Sequence, residues 1–348
     1  MYDSKKKEDG TYSLKNYISR GLELVEPKIL NNYINKYLPG TGFLRKTSLF
    51  FDYYFCLARY GAIVPDYFEY QFWKKRACER KKYITMKMNK QIKKAFNHEK
   101  TGVFRNKMLF NEKFAKYRNL HTFDFEKGTV EEFLEFVEMC NRNIIAKPLT
   151  GYSGLGIEKP DVSTDDLARK AYEELKATND FFCEEAFVQD GVLHEINPTS
   201  VNTVRIYTIF DGEKVHITAT NVRFGGSTAC VDNIHAGGMC CEVDETTGYV
   251  IGAGYNLSGD KHIYHPVTNI MIPGIKIPNW DEVIRVVTEA ASMYKEQGHV
   301  AWDIAVSENK VSIIEGNDGG NFDLPQVCSE RGMKEVYAGL LKARQNRN

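Results

Sequence analysis

No stretch of this chain approaches the roughly 20 consecutive apolar residues that a membrane-spanning helix needs. The nearest, Ser48 to Val64, is broken by Asp52 and Arg59. Met1 to Gly10 is polar and charged, so the apolar core of a secretory leader is missing there. Neither charge is in excess: 46 Lys and Arg balance 46 Asp and Glu. That balance removes any global pull toward nucleic acid or an acidic surface. None of the eight cysteines forms a C-x-x-C pair. Most lie in apolar runs, the vicinal Cys240-Cys241 among them, so reduced thiols in a cytoplasmic setting are expected rather than a disulfide framework. Internal repeats and low-complexity segments are also missing. Two common nucleotide signatures fail as well. A P-loop needs Lys and then Ser or Thr after its last glycine, but Gly156 is followed by Ile157. A dinucleotide fingerprint starting at Gly154 needs Gly or Ala at the position that Lys159 holds.

What is present is organised in two parts. A length of 348 residues fits about two domains. Residues 1 to 100 are rich in Tyr, Phe, Lys and Arg, with little strand-and-turn alternation, and read as several helices. From Lys74 to Lys100 there are eleven Lys or Arg and two Glu. The run is a solvated helix face on one reading. On the other it is a dock for a phosphorylated or lipid-linked acceptor, with peripheral membrane contact through residues 48–100. From about residue 101 the chain turns to α/β punctuation. Thr129 with Glu132 predicts a capping box, followed by a helix through Val130, Phe133, Leu134, Val137 and Cys140. Strands are expected at Asn143 to Lys147 and Phe181 to Val188, with a helix from Thr164 to Lys176 between them. Asp211-Gly212 predicts a hairpin joining Val204–Phe210 to Val215–Arg223. A second hairpin is expected over Gly238–Val243 and Tyr249–Ala253. Asn279, with Glu282 in the capping-box position, predicts a helix from Trp280 to Gln297 that stops at Gly298.

The densest chemistry lies between Trp302 and Asn317. Two short apolar strands flank a polar turn. With the turn centred on Asn309, Asp303 and Glu315 lie opposite each other, and Asn317 shares the face of Glu315. Facing carboxylates repel, and a divalent cation relieves them. Oxygen-only ligands suit a hard ion such as Mg²⁺, which also binds substrate phosphates. Upstream, Lys147 ends a strand before Gly151, Gly154 and Gly156. Glycines let backbone N–H groups approach a phosphate and Lys adds a point charge, although a glycine loop can be only a turn. Phe181-Phe182-Cys183-Glu184-Glu185-Ala186-Phe187-Val188-Gln189 reads either as an edge strand with solvated acids or as a hinge whose backbone meets adenine. Arg205 starts a strand and Arg223 ends one. They are surface residues or a grip for a phosphoryl or carboxylate group. His235 sits in a Gly-rich loop and is read as a structural hydrogen-bonding group.

Taken together, these residues resemble the ATP-grasp superfamily. The features are Lys107, Lys147, the glycine loop, the Glu-Glu hinge, and Asp followed by Glu-x-Asn. The phrases Ser200-Val201-Asn202-Thr203-Val204-Arg205, Asp232-Asn233, Gly237-Gly238, His265-Pro266, Trp302-Asp303 and Glu315-Gly316-Asn317 are similar to its sugar-transfer-associated branch, met in cell-surface polysaccharide gene clusters. The resemblance spans about residues 40 to 330.

The resemblance implies an α+β fold in which two α+β subdomains clamp ATP, preceded by a mainly helical region. The implied divisions are a helical region at 1–100, subdomains at 101–188 and 189–335, and a C-terminal tail at 336–348. Lys107 and Lys147 would hold phosphates, with Gly151, Ser153, Gly154 and Gly156 closing over them. Glu184, Glu185 and Phe187 would line the adenine pocket and Gln189 would lie near ribose. Asp303, Glu315 and Asn317 would hold Mg²⁺, with Mn²⁺ as the alternative ion. Arg205 and Arg223 would steady an acyl phosphate. The implied activity is an ATP-dependent carboxylate–amine ligase joining a small-molecule acid to an amine or a sugar-linked acceptor. A phosphotransferase and a non-catalytic nucleotide-binding protein are the alternatives. The segment Asn317-Asp318-Gly319-Gly320-Asn321-Phe322-Asp323 departs from the proline-containing turn that many relatives carry.

Overall fold

A computed structural model describes residues 27–98, 100, 102–150, 156–226, 232, 234, 237–256, 259–318, 320 and 322–345. The chain divides into two compact units. One comprises Met1–Gln91 with Asn321–Gly339, the other Ile92–Gly320 with Leu340–Asn348. The chain therefore leaves the first unit earlier than residue 100 and returns to it at Asn321, inside the segment expected as 189–335.

The first unit is helical, as its composition suggests. Helices α1 (Pro27–Tyr37), α2 (Phe43–Tyr60), α3 (Val64–Glu69) and α4 (Ala77–Arg80) are joined by α11 (Asp323–Cys328) from the returning segment. Helices α5 (Met86–Phe96) and α12 (Lys334–Gln345) have residues in both units. The core is aromatic. Tyr53, Tyr67, Phe68 and Phe72 are fully buried, and Tyr67 meets Tyr53, Phe68 and Phe72 edge-on, the geometry that ring quadrupoles favour. Gln326 ties the returning segment down. Its Oε1 accepts from the N–H of Ile84 at 2.7 Å and its Nε2 donates to the Ile84 carbonyl at 3.0 Å.

The second unit carries two antiparallel sheets. The small one has the order β1 (Thr122–Asp124), β3 (Phe181–Glu185), β2 (Ile144–Pro148). One face, with Ile144, Ala146 and Cys183, is buried against α7 (Val130–Met139) and α8 (Asp165–Thr178). The expected box at Thr129 is present: Thr129 Oγ1 accepts from the Glu132 N–H, and Glu132 Oε2 accepts from the Thr129 N–H at 2.8 Å. Strand β3 stops at Glu185, short of the expected Val188.

The large sheet has seven strands. Its order is β10 (Val311–Asp318), β9 (His299–Val306), β4 (Thr203–Phe210), β5 (Val215–Phe224), β6 (Met239–Glu242), β7 (Gly254–Tyr255), β8 (Lys261–His262). The β4–β5 hairpin forms as expected. In the second hairpin only an isolated Val243–Val250 bridge forms on the return, and Tyr255 is what pairs with Cys240. The apolar face, including Ile206, Val222, Trp302, Ile304 and Ile313, packs with α10 (Trp280–Met293) in one core. The start of α10 differs from expectation. Asn279 takes a left-handed backbone and makes no side-chain cap. Its Nδ2 instead donates to the carbonyls of Ser307 and Glu308 at 2.9 and 2.8 Å, holding the β9–β10 turn. Glu282, freed of a cap, pairs with Arg285. The helix ends at Met293, short of Gln297.

Asp66 gives the first unit a pH signature. It is buried, and its Oδ2 accepts from the N–H groups of Ile63 and Met86, both at 3.0 Å. Burial outweighs those bonds and lifts its carboxyl to about 7. Its protonated form is favoured in the fold, so its stabilising contribution is complete below the ordinary carboxylate range and is lost as pH rises through about 7. Urea midpoints of the first unit should therefore fall between pH 5 and pH 8, and Asp66→Asn should flatten that decline.

Candidate functional site

The polar face of the large sheet carries a row of charge. Glu315 pairs with Asp303, Asp303 with Arg205, Arg205 with Asn221, and Asn221 with Glu242, across five neighbouring strands. Directly paired residues point to the same face, so the row is continuous. The Asp303–Glu315 pairing matches the sequence expectation, but its cause does not. Near the turn, Val311 pairs with Val306 and Ile313 with Ile304, a register one residue out from a turn centred on Asn309. Carried on without a break, that register would set Glu315 against Trp302, on the apolar face. A β-bulge between Ile313 and Glu315 restores the pairing. The extra residue, Ile314, lines a cavity beside Glu315. Bulges re-aim side chains in this way.

The bulge is held from the side. Arg118 Nη1 donates to the carbonyls of Ile313 and Ile314 at 2.8 and 2.7 Å, and its Nη2 to Glu184 Oε2 at 2.7 Å. Glu184 also pairs with Lys147. Lys147 lies opposite Phe182 in the β2–β3 ladder, one diagonal step from Glu184 on the same face. Burial alone would raise Glu184, but Lys147 and Arg118 outweigh it and hold the carboxyl below its ordinary range. One guanidinium thus connects the small sheet to the strand that carries Glu315.

The cavity is lined by Lys107, Asn111, Lys147, Glu184, Glu315 and Asn317. Lys107 begins α6 (Lys107–Lys113), which Asn106 caps by accepting from the N–H groups of Met108 and Leu109. Its Nζ donates to the Pro148 carbonyl at 3.0 Å and its N–H to the Leu149 carbonyl at 3.0 Å. Burial pulls its ammonium below the usual lysine range, against the charge of Glu315, and Lys147 adds to the effect. Beneath the ligand strand, a Cβ on Gly316 would meet Phe104 at 2.7 Å and Phe110 at 2.8 Å. Glycine is what lets the strand approach these rings.

The acids differ sharply. Burial would raise Asp303, yet the guanidiniums of Arg205 and Arg223 hold its carboxyl below the carboxylate range. Arg205 is bidentate on Asp303, with Nε at 2.6 Å and Nη2 at 2.5 Å. Arg223 Nη2 stands 3.2 Å from Asp303 and its Nε 3.3 Å from Asp232. Burial, then the charge of Asp303, lifts Glu315 above its ordinary range. Asn317 Nδ2 lies 3.3 Å from Glu315 and 3.4 Å from Asp303. The donor set, two carboxylates and an amide, is all oxygen and suits Mg²⁺ completed by phosphate oxygens and water. Glu315, raised by a like charge, is the member that a cation would relieve. Among the described residues no group of three or more His, Cys, Asp or Glu side chains converges as a metal cluster, so a cation here would rely on the amide and on a substrate's own oxygens.

Several expectations change. Glu184 is the counter-ion of Lys147 and Arg118. Glu185 pairs with Lys310 at 2.9 Å, and that ammonium lies 6.0 Å over the buried Phe187 ring. Gln189 has no capacity left for a sugar. Its Nε2 donates to the carbonyls of Asn202 and Val306, and its Oε1 accepts from the Asn202 N–H and Nδ2. Arg205 stands in the carboxylate row itself, and Arg223, two residues along β5 from Asn221, reaches the same Asp303. His265 is buried, with Nε2 on the Gly225 carbonyl at 2.8 Å. Gly156 has a positive φ of 77° and leads into the Ala146–Glu158 bridge. Gly151, Ser153, Gly154 and His235 lie outside the described residues. Two residues went unread in the sequence. Arg118 has no acid within a helical turn to mark it. Asn111 is a polar residue on a segment otherwise apolar at Phe110 and Phe114; it is buried, and its Nδ2 has no hydrogen-bond partner among the described residues.

The small sheet gives Lys147 and the large sheet Glu315 and Asn317 to one cavity that α6 completes with Lys107, the arrangement of an ATP-grasp protein. The chain belongs to the sugar-transfer-associated ATP-grasp family, whose model matches residues 80–340. No curated protein matches the chain in sequence. Solved structures similar to it include the D-alanine–D-alanine ligase from Coxiella burnetii, at 12% identity and a TM-score of 0.42 over 70% of this chain and 57% of that one. The ATP-grasp ligase PsnB, complexed with a phosphomimetic variant of minimal precursor, Mg and ADP, is similar at 13% identity and a TM-score of 0.45 over 72% and 62%. D-cycloserine synthetase DcsG is similar at 10% identity and 0.42 over 70% of each chain. The chain thus spans about three fifths of the length of the first two.

Two outcomes test the geometry. Arg118→Lys cannot reach two carbonyls and a carboxylate at once, and should cost about 3 kcal/mol in urea unfolding; an unchanged midpoint would remove Arg118 from this role. Glu315→Gln deletes a buried like-charge contact. It should stabilise the ligand-free protein at neutral pH by up to about 1 kcal/mol, read as a higher melting temperature; an unchanged or lower melting temperature would remove the repulsion from this account.

Proposed function

We propose that this chain is an ATP- and Mg²⁺-dependent carboxylate–amine ligase that acts in cell-surface polysaccharide or related envelope biosynthesis. The observation that supports it most is the single cavity in which Lys107 and Lys147 meet Glu315 and Asn317, next to Asp303 on the adjacent strand. Two cations and an oxygen ligand set match the two partners that a nucleoside triphosphate brings with it, phosphate and metal. The sugar-transfer association of the family supports an acid or amine drawn from glycan chemistry.

On this reading, Lys107 and Lys147 bind the phosphates, and Glu184 holds Lys147 in place. Asp303, Glu315 and Asn317 hold Mg²⁺, which would neutralise charge developing on the phosphate oxygens. The substrate carboxylate attacks the γ-phosphorus, and the bond from phosphorus to the bridging oxygen breaks and releases ADP. The amine then attacks the acyl carbon, phosphate leaves with the C–O bond's electron pair, and the amine loses its proton as the amide forms. Arg205 and Arg223 lie beside the carboxylates, where a guanidinium can steady the acyl phosphate. Such transfers rest on positioning and charge stabilisation more than on a dedicated base. Cys56, Cys78, Cys140, Cys183 and Cys241 are free thiols among the described residues, whereas Cys240 and Cys328 are disulfide-bonded, so the expectation of reduced thiols holds only for the former.

Phosphate release from ATP should require an acid and an amine together, across a panel of sugar acids, amino acids and amino sugars. A stable phosphorylated acceptor formed without an amine would identify a phosphotransferase instead. Lys147→Ala should weaken ATP binding roughly tenfold or more in calorimetry; unchanged affinity would refute the phosphate assignment.

A further inference from the structure

Helix α2 is apolar on two sides. Leu49, Tyr53 and Cys56 are buried on one. On the other, Phe43, Leu44, Phe51 and Phe55 are 81, 84, 68 and 54% exposed. At 100° per residue, Phe51, Leu44 and Phe55 fall within one narrow stripe, with Phe43 at its margin. The exposed Thr47, Ser48 and Ala58 fill the spaces between them, and the exposed Arg45 and Arg59 border the stripe. No carboxylate is among the exposed residues of this helix. A helix that is apolar all round is normally covered, and clustered exposed aromatics mark an interaction surface.

The charge of the surrounding unit says what covers it. Between Pro27 and Gln91 there are thirteen Lys or Arg and four Asp or Glu; the returning segment Asn321–Gly339 adds two and three. Several of these acids are already committed. Asp52 is held by Arg80 at 2.6 Å and by the Tyr67 hydroxyl at 2.7 Å, Asp66 is buried under two N–H groups, and Glu79 accepts from the Arg76 N–H. The unit therefore shows solvent a strong positive excess, although the whole chain is neutral. A second copy meeting the same face would bring like charge against like charge. An anionic lipid surface supplies both partners at once, acyl chains for the rings and phosphate headgroups for the arginines.

We propose that the exposed face of α2 docks this protein on an anionic membrane surface, with Phe43, Leu44, Phe51 and Phe55 entering the headgroup–acyl boundary and Arg45 and Arg59 meeting lipid phosphates. The proposal does not depend on the ligase reading, because it uses no residue of the cavity. It places the protein beside a lipid-anchored class of acceptor rather than in bulk solvent.

The test is flotation of the full chain with vesicles of phosphatidylcholine alone and of phosphatidylcholine mixed with phosphatidylglycerol. The wild type should float with the mixed vesicles and not with the neutral ones, and should be released as salt rises. Phe51→Gln with Phe55→Gln should weaken binding about tenfold or more, and Arg45→Gln with Arg59→Gln roughly tenfold. Urea midpoints equal to the wild type separate lost docking from lost folding, and Phe43→Gln with Leu44→Gln reads the same face should the first pair unfold. Failure to float, equal flotation with neutral vesicles, or flotation untouched by the Phe51 and Phe55 changes overturns the proposal. So does a vesicle-independent dimer that those changes dissolve, which would assign the face to a second copy.

Discussion

The site depends on one extra residue in a strand. Ile314 breaks the β9–β10 register, and that break turns Glu315 from the aromatic core to the side where Asp303 stands. Bulges leave backbone carbonyls out of the ladder. Arg118 takes the carbonyls at this one and anchors itself on Glu184. Glu184 in turn fixes Lys147. The ligand row on the large sheet and the lysine on the small sheet are therefore connected through one buried guanidinium. Buried ion pairs give little net stability, but removing one partner is costly. Here the arrangement gives position: it sets where two elements of opposite charge stand across a cavity.

The carboxylate row shows how the fold tolerates paired acids. Asp303 is satisfied by Arg205 and Arg223, while burial and the charge of Asp303 lift Glu315 above its ordinary range. Site and counter-charge are thus interlocked. The arginines that sequence reasoning reserves for a transferred group already serve the acids beside them, and a cation at Glu315 and Asp303 would compete with them for the same oxygens.

How much was legible follows from distance along the chain. The capping box at Thr129 was readable because both partners lie within four residues. Asn279 was not, because its acceptors, Ser307 and Glu308, are 28 and 29 residues on. The pairing of Asp303 with Glu315 was readable from period-two counting, although the count assumed an unbroken ladder and a turn centred one half-step too far along. Lys107 and Lys147, 40 residues apart in sequence, line one cavity. The bond between Arg118 and Glu184 was not readable, because the two lie 66 residues apart. Gln189 was given a ribose because a glutamine's backbone partners leave no pattern in sequence. The helical nature of the first unit was plain from composition, but its closing piece, Asn321–Gly339, was invisible, since only the fold shows that Gln326 belongs with Ile84.

Glu315-Gly316-Asn317 answers to three unrelated neighbourhoods: a facing acid, a floor of rings, and a row of charge. An inherited change at Gly316 would need Phe104 and Phe110 to retreat together, whereas a change at Glu315 or Asn317 concerns the opposite side of the strand. No single second substitution can compensate for all three. A change at any of the three letters therefore calls for its own separate accommodation in the fold.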